Sequence, residues 1–339
     1  MEKNVYPAGE GQADISSLLE PYRRELHLHC YRLMGSLQDA EDMVQETMLR
    51  AWRRFDTFKG SASLRTWLYT IATNACLDAL KKRPPRTMPV AACPAADPLH
   101  PLAPAIAKPV WLEPVPDSWL VEADNPETRY TRRESVSLAF LTALQLLPPR
   151  QRAVLILADV LDWRASEIAE LLEITVSAVN SALHRARVTL AKHYHMDERD
   201  LANMGRAADV QMSELLSRYV HAWETDDIAG IVELLKEDAV LSMPPIPSWY
   251  QGREAILAIL TIGPFGTEVR QRWKLRPTCA NGQPAFVFYQ ADQSQGIYRA
   301  FGIQVVTIDQ QSGQIAEMTI FKNPSLVPYF DSPSQLPER

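Results

Sequence analysis

Along residues 174–193, ITVSAVNSALHRARVTLAKH, the apolar residues Val179, Leu183, Ala186 and Leu190 recur at i, i+4, i+7 and i+11. That is one stripe of a 3.6-residue period, and it predicts an amphipathic helix. Ser177, Asn180, Ser181, His184 and Arg185 fall off the stripe and predict a polar, partly basic face. Just upstream, ASEIAELL predicts a short helix, Glu173-Ile174 a tight connection, and Thr175 a cap for the helix that follows. Two short helices joined this way form a helix-turn-helix pattern. Such a turn often needs a positive φ, which glycine adopts at least cost. Glu173 stands there instead, so a strained or reshaped turn is expected.

The same period runs through two earlier stretches. Residues 14–83 read as wholly helical: DAEDMVQETMLRAWRRF places Ala40, Val44, Met48, Ala51 and Phe55 inward, with Asp39 as its expected cap. SLRTWLYTIATNACLDALKKR places Leu64, Leu68, Ile71, Ala75 and Leu80 inward behind a Ser63 cap, and leaves Arg65, Tyr69, Thr73, Asn74 and Lys81 outside. A second helical block covers 129–196, with RRESVSLAFLTALQLL as one helix and Pro148-Pro149 separating it from RQRAVLILADVLD. From about 208 to 330 the period changes. Two amphipathic helices, VQMSELLSRYVHAW and DIAGIVELL, precede the strand signals AVLSMP, RQRWKLRP, PAFVFYQA, GIYRAFGIQVVTID and QIAEMTIF. DQQSGQ predicts a hairpin between the last two, and the whole predicts an α+β domain.

Between the helical blocks, residues 84–128 are Pro- and Ala-rich without a sustained period, and read as a linker. Within it VWLEPVPDSWL is too apolar for a solvated tether. Trp111, Leu112, Pro114 and Trp119 are expected to pack on a neighbouring domain or to form a regulatory docking motif.

Charge sharpens this picture. The net charge of −6 excludes a generic polyanion binder, but it is unevenly spread. Residues 1–86 carry 13 Lys/Arg against 11 Asp/Glu, whereas 207–339 carry 10 against 15. Nucleic-acid contact is therefore expected through local patches. Cys30, Cys76, Cys93 and Cys279 have no metal-ligand or disulfide spacing, so free thiols in a reducing compartment, no metal and no cofactor are expected. No signal peptide and no membrane-spanning run is read in the chain.

An α-helix fits the DNA major groove, where Asn, Ser, Arg and His side chains can read base edges and arginine can hold phosphate. Aromatic residues beside basic ones suit single-stranded DNA. Phe58, Lys59, Trp67, Tyr69 and Asn74 have that composition, although Trp67 by itself reads as core. The acidic helix from Asp39 suits a basic protein partner better than DNA.

QDAEDMVQETMLRAWRRFDTFKGSASLRTWLYTIATNACLDALKKR resembles region 2 of the extracytoplasmic-function (ECF) group of bacterial RNA polymerase sigma factors. LPPRQRAVLILADVLDWRASEIAELLEITVSAVNSALHRARVTL resembles their region 4. The remainder resembles a SnoaL-like domain, and WLEPVPD and ANGQPAFVFY are similar to segments of the sigma subgroup that carries one. The fold class implied is multidomain: two all-α sigma domains, the second a helix-turn-helix, followed by an α+β SnoaL-like cone domain.

The resemblance implies a cytoplasmic factor that directs core RNA polymerase to promoter DNA, engaging the β′ coiled coil and the β flap. Asp39, Asp42, Gln45, Glu46, Leu49 and Arg53 would face the polymerase. Phe58, Lys59, Arg65, Asn74 and Lys81 would capture the −10 element. Ser177, Asn180, Ser181, His184 and Arg185 would read the −35 element, with Arg150 and Arg187 on its backbone. The C-terminal domain would contact the sigma domains and the linker and tune activity.

Other readings use the same residues. A SnoaL-like fold also serves cyclases and isomerases, for which His221 and Glu317 are the candidate acid–base groups. Met243, Trp249 and Tyr250 are candidates to line a pocket for a small modulating ligand. A helix-turn-helix regulator that never meets polymerase is the third.

Overall fold

The computed structural model describes residues 12–58, 60, 63–106, 111–120, 135–193, 206–266 and 271–337. The chain divides into two compact units, Met1–Arg86 with Trp119–His195, and Thr87–Ser118 with Met196–Arg339. The linker is thus not a free spacer: most of its described part belongs to the second unit.

In the first unit the helices are α1 (Gln12–Leu19), α2 (Arg23–Met34), α3 (Leu37–Arg54) and α4 (Leu64–Leu80). Gly35 ends α2 in the left-handed region at φ 71°, its amide returning to Tyr31 O. Ser36, not Asp39, caps α3 by accepting from the Asp39 amide. The predicted start is three residues late because Leu37, fully buried, extends the apolar stripe backward. Ser63 caps α4 as expected. The inward stripes are buried except Met48 and Phe55, which are half-buried, and Tyr69 and Thr73, predicted to lie outside, are buried too. Their face of α4 packs on α2, where His29 Nε2 lies 2.8 Å from Thr73 Oγ1.

After a single-turn helix α5 (Pro89–Ala92), in the second unit, the first unit resumes with α6 (Leu138–Gln145) and α7 (Pro149–Leu155). The α6 helix starts only at Leu138, capped by Ser137, so described residues 135–137 of RRESVS are not helical. The α7 helix widens into a π-turn over Ile156–Val160, which the periodicity did not suggest. Then come α8 (Ala165–Leu172) and α9 (Val176–His193). Glu173 takes the left-handed conformation at φ 54°, ψ 46°, and Thr175 Oγ1 accepts from the Ala178 amide at 3.1 Å.

The second unit opens, besides its linker residues, with α10 (Arg206–Glu224) and α11 (Ile228–Glu233). The strands are β1 (Leu235–Ser242), β2 (Trp249–Gln251), β3 (Trp273–Ala280), β4 (Gln283–Asp292), β5 (Ile297–Ile308), β6 (Ile315–Phe321) and β7 (Gln335–Pro337), with α12 (Arg253–Ile262) between β2 and β3. They form one curved sheet in the order β2-β1-β6-β5-β4-β3, with β7 added to β5. Every pair is antiparallel except β1 with β6, where Val240 sits opposite Glu317. The core joins Tyr219 and Trp223 of α10, Ile256 and Ile259 of α12, and Leu241, Phe286, Phe288 and Met318 of the sheet. The α12 helix, β2 and β7 had no place among the predicted elements. Among the described residues, no helix is long and apolar enough to cross a membrane.

Candidate functional site

On α9 the buried side is Val179, Ala182 and Ala186. This leaves Ser177, Asn180, Ser181, His184 and Arg185 exposed on the opposite face, spaced so that all five project the same way. Arg187 is exposed at the edge of that face and forks onto Asp159, with Nη2–Oδ1 2.6 Å and Nε–Oδ2 3.0 Å. Arg150 is exposed in the first turn of α7. One helix thus offers hydroxyl, amide, imidazole and guanidinium groups together, the set that hydrogen-bonds base edges and phosphates.

On α3, Asp42, Gln45, Leu49 and Arg53 are exposed at helical spacing. Glu46 is half-buried and paired with Arg50 at 2.6 Å. Asp39 does not belong to this surface: its side chain is only 14% exposed and is held by Arg83 at 2.5 Å and Arg86 at 2.6 Å. The basic end of the first helical block folds back on it, a long-range pairing that no local period reveals. Trp52 was missed. It is 40% exposed beside Leu49 at 41%, and the i, i+3 spacing from Leu49 was the available signal. An exposed Leu–Trp pair on an acidic helix is the kind of apolar patch that a protein partner covers.

The turn before α4 holds an aromatic cluster, with Phe58 5.1 Å from Trp67 and 6.2 Å from Phe55 between ring centroids. Lys59 lies outside the described residues. Asn74 is exposed. Lys81 pairs with Asp78 at 2.8 Å. Arg65 is exposed and is paired within its own domain, with Glu25 at 2.8 Å and the Tyr69 ring at 4.9 Å. The Tyr69 hydroxyl donates to the same Glu25, and burial followed by that carboxylate raises its pKa.

The docking residues divide between the two units. Trp111, Leu112 and Pro114 are buried in the second, where Trp111 Nε1 donates to Pro245 O at 3.0 Å. Val115 N donates to Asn281 Oδ1 at 3.0 Å, Asn281 N returns a bond to Val115 O at 2.9 Å, and Gly282 N reaches Asp117 Oδ1 at 2.8 Å. Asn281 and Gly282 both have positive φ, the form of the tightest hairpin turns, here between β3 and β4. So WLEPVPD and ANGQPAFVFY, singled out separately in the sequence, are partners in one clasp. Trp119 belongs to the first unit and stacks on His27 with ring centroids 4.8 Å apart.

The acid–base candidates of the second unit are not convergent. His221 and Glu317 are exposed, and neither lines the cavity found there. Of the pocket candidates, Met243 lines it, whereas Trp249 turns to the linker, its Nε1 donating to Cys93 O at 2.7 Å. Tyr250 is buried in the core.

Residues 18–84 match the family model for sigma-70 region 2, residues 137–190 that for sigma-70 region 4, and residues 216–318 that for a SnoaL-like domain. The chain is 42% identical over 332 residues to the ECF RNA polymerase sigma factor SigG of Mycobacterium tuberculosis, covering 97% of this chain and 87% of that protein. It is 27% identical over 193 residues to ECF RNA polymerase sigma factor SigW of Bacillus subtilis, covering 57% and 95% of the two chains. The crystal structure of the Mycobacterium tuberculosis ECF sigma factor SigJ shares the fold, with a TM-score of 0.53 at 22% identity over 94% of this chain and 99% of that one.

Proposed function

Because the chain belongs to the ECF RNA polymerase sigma factors, directing core polymerase to promoters to initiate transcription, we propose how its surfaces divide that work. The exposed face of α9 reads the −35 element through Asn180 and Arg185, with Ser177, Ser181 and His184 as further groove contacts and Arg150 and Arg187 on the phosphates. The acidic face of α3, with Asp42, Gln45, Leu49, Trp52 and Arg53, docks on the polymerase β′ coiled coil. The turn at Phe58, with Asn74, meets the −10 element. The second unit tunes this activity by holding the linker.

The observation that carries the reading is the exposed α9 face itself. Five polar groups of base-reading chemistry project from one helix whose other side is packed against its own domain. Fluorescence anisotropy of the holoenzyme on promoter and scrambled duplexes tests it. Asn180→Ala with Arg185→Ala is expected to weaken promoter binding about ten- to hundredfold and to narrow the gap to scrambled DNA. Unchanged discrimination would remove α9 from the −35 element.

Acid–base catalysis by the second unit finds no support in the positions of His221 and Glu317, and the reading does not include it.

A further inference from the structure

The second unit contains a cavity of about 850 Å³, inside the size range of sites for organic ligands. Its deep wall is aromatic and aliphatic: Trp223, Trp273, Phe288, Phe301 and Ile259. Trp223 is 1% exposed, with its indole against the Tyr219 side chain.

The mouth is different. Among the described residues, three cations, Arg272, Arg299 and Lys322, and one carboxylate, Asp292, line this part. Asp292 is taken up by Arg299 at 2.7 Å. Arg272 lies over the Trp273 ring at 5.6 Å and beside the neutral Gln290 carboxamide, whose oxygen accepts from its Nε at 2.7 Å once the amide is turned to satisfy both groups. Lys322 lies over the Phe301 ring at 5.3 Å, and its backbone amide donates to Pro244 O at 2.8 Å. An apolar chamber under a net positive rim fits a molecule with an apolar body and an anionic end.

We propose that this cavity binds an amphipathic organic anion, its ring system or acyl body against Trp223, Trp273 and Phe288 and its acidic group against Lys322 and Arg272. The site borders the linker. Ile246 lines the cavity, while the neighbouring Pro245 O accepts from both Ile106 N at 3.1 Å and Trp111 Nε1. Leu102 of the linker lines it too. An occupant therefore presses on the segment that holds the linker. The proposal stands apart from promoter reading, since the cavity lies wholly within the second unit.

The probe is 1-anilinonaphthalene-8-sulfonate, with N-phenyl-1-naphthylamine as its neutral counterpart, titrated into the full chain and followed by fluorescence. One saturable sulfonate site is expected. Lys322→Met is expected to weaken the sulfonate about tenfold and leave the neutral probe within about twofold, and Lys322→Arg is expected to restore the affinity. Ala300→Trp, on the cavity wall, is expected to exclude both probes. If that variant does not fold, the contrast between the two Lys322 variants decides alone. The absence of a saturable site, equal effects of Lys322→Met on both probes, or unchanged binding in folded Ala300→Trp would overturn the proposal.

Discussion

Arg152 Nη1 lies 2.5 Å from the backbone oxygen of Leu33, in the last turn of α2. The guanidinium also donates to Gln145 Oε1 at 2.6 Å and to the carbonyls of Gln145 and Leu147. It is 1% exposed, and burial lowers its pKa to about 10. One arginine from region 4 thus satisfies the C-terminal carbonyls of its own α6 and one belonging to region 2. Arg32 makes the reverse connection, donating to Ser135 Oγ at 2.7 Å. The two sigma regions form one packed body rather than two beads on a string.

Arg152→Met leaves those buried acceptors unsatisfied. Urea unfolding is expected to show a loss on the order of 3 kcal/mol, and Arg152→Lys, with three donors and no fork, is expected to recover only part of it. A loss below about 0.5 kcal/mol would show that the carbonyls find other partners.

His29 is fully buried. Burial, then the charges of Arg32 and Arg65, lowers its pKa to about 3. The native state therefore keeps the imidazole neutral, while the unfolded chain protonates it near 6.5. Its contribution is present in full above pH 6.5 and is lost as pH falls from there toward 3, by about 5 kcal/mol at most. Burial, then Arg23, lowers His27 in the same direction. Urea midpoints at pH 7 and pH 4.5 are expected to lie closer together in His29→Gln than in the parent chain.

Glu173 has a left-handed backbone, which glycine adopts without a Cβ penalty. Glu173→Gly is expected to raise stability by up to about 1 kcal/mol and to leave DNA binding unaltered. A measured loss would mean that the side chain contributes more than its backbone costs.

Asn281 serves the clasp by its side chain and the hairpin by its positive φ. Asn281→Gly keeps the turn and removes the side-chain acceptor for Val115 N, so the linker should be cut faster by protease between residues 97 and 118 while the melting temperature changes little. Trp111→Phe, which loses the bond to Pro245 O, should act in the same direction by about 1 kcal/mol. Equal cleavage rates in all three proteins would detach the clasp from linker protection.

Local pattern carried the helices well. The α9 stripe, the Ser63 and Thr175 caps and the odd conformation of Glu173 all follow from spacing and side-chain chemistry within a few residues. The SnoaL-like strands from β3 to β6 were legible for the same reason. What escaped depends on distant partners. Asp39 has the look of a surface acid until Arg83 and Arg86 return to it, and Tyr69 reads as exposed until α2 covers it. The α12 helix was passed over between strand signals, although Ile256, Ile259 and Leu260 have helical spacing. The parallel β1–β6 pair joins segments too far apart for any turn to announce. Composition marked the Pro-rich stretch as a linker and gave no sign that most of its described part would belong to the second unit.

Run-off transcription measures promoter-directed initiation by the chain itself. Purified core polymerase, the full chain and a promoter library are combined, with Leu49→Ala/Trp52→Ala and Asn180→Ala/Arg185→Ala proteins in parallel. The account expects transcripts from a defined start that core polymerase alone does not make, lost in the first double variant through polymerase binding and in the second through promoter choice. Transcripts unchanged by either pair, or none with the parent chain at low salt with residues 208–339 present or deleted, would contradict it.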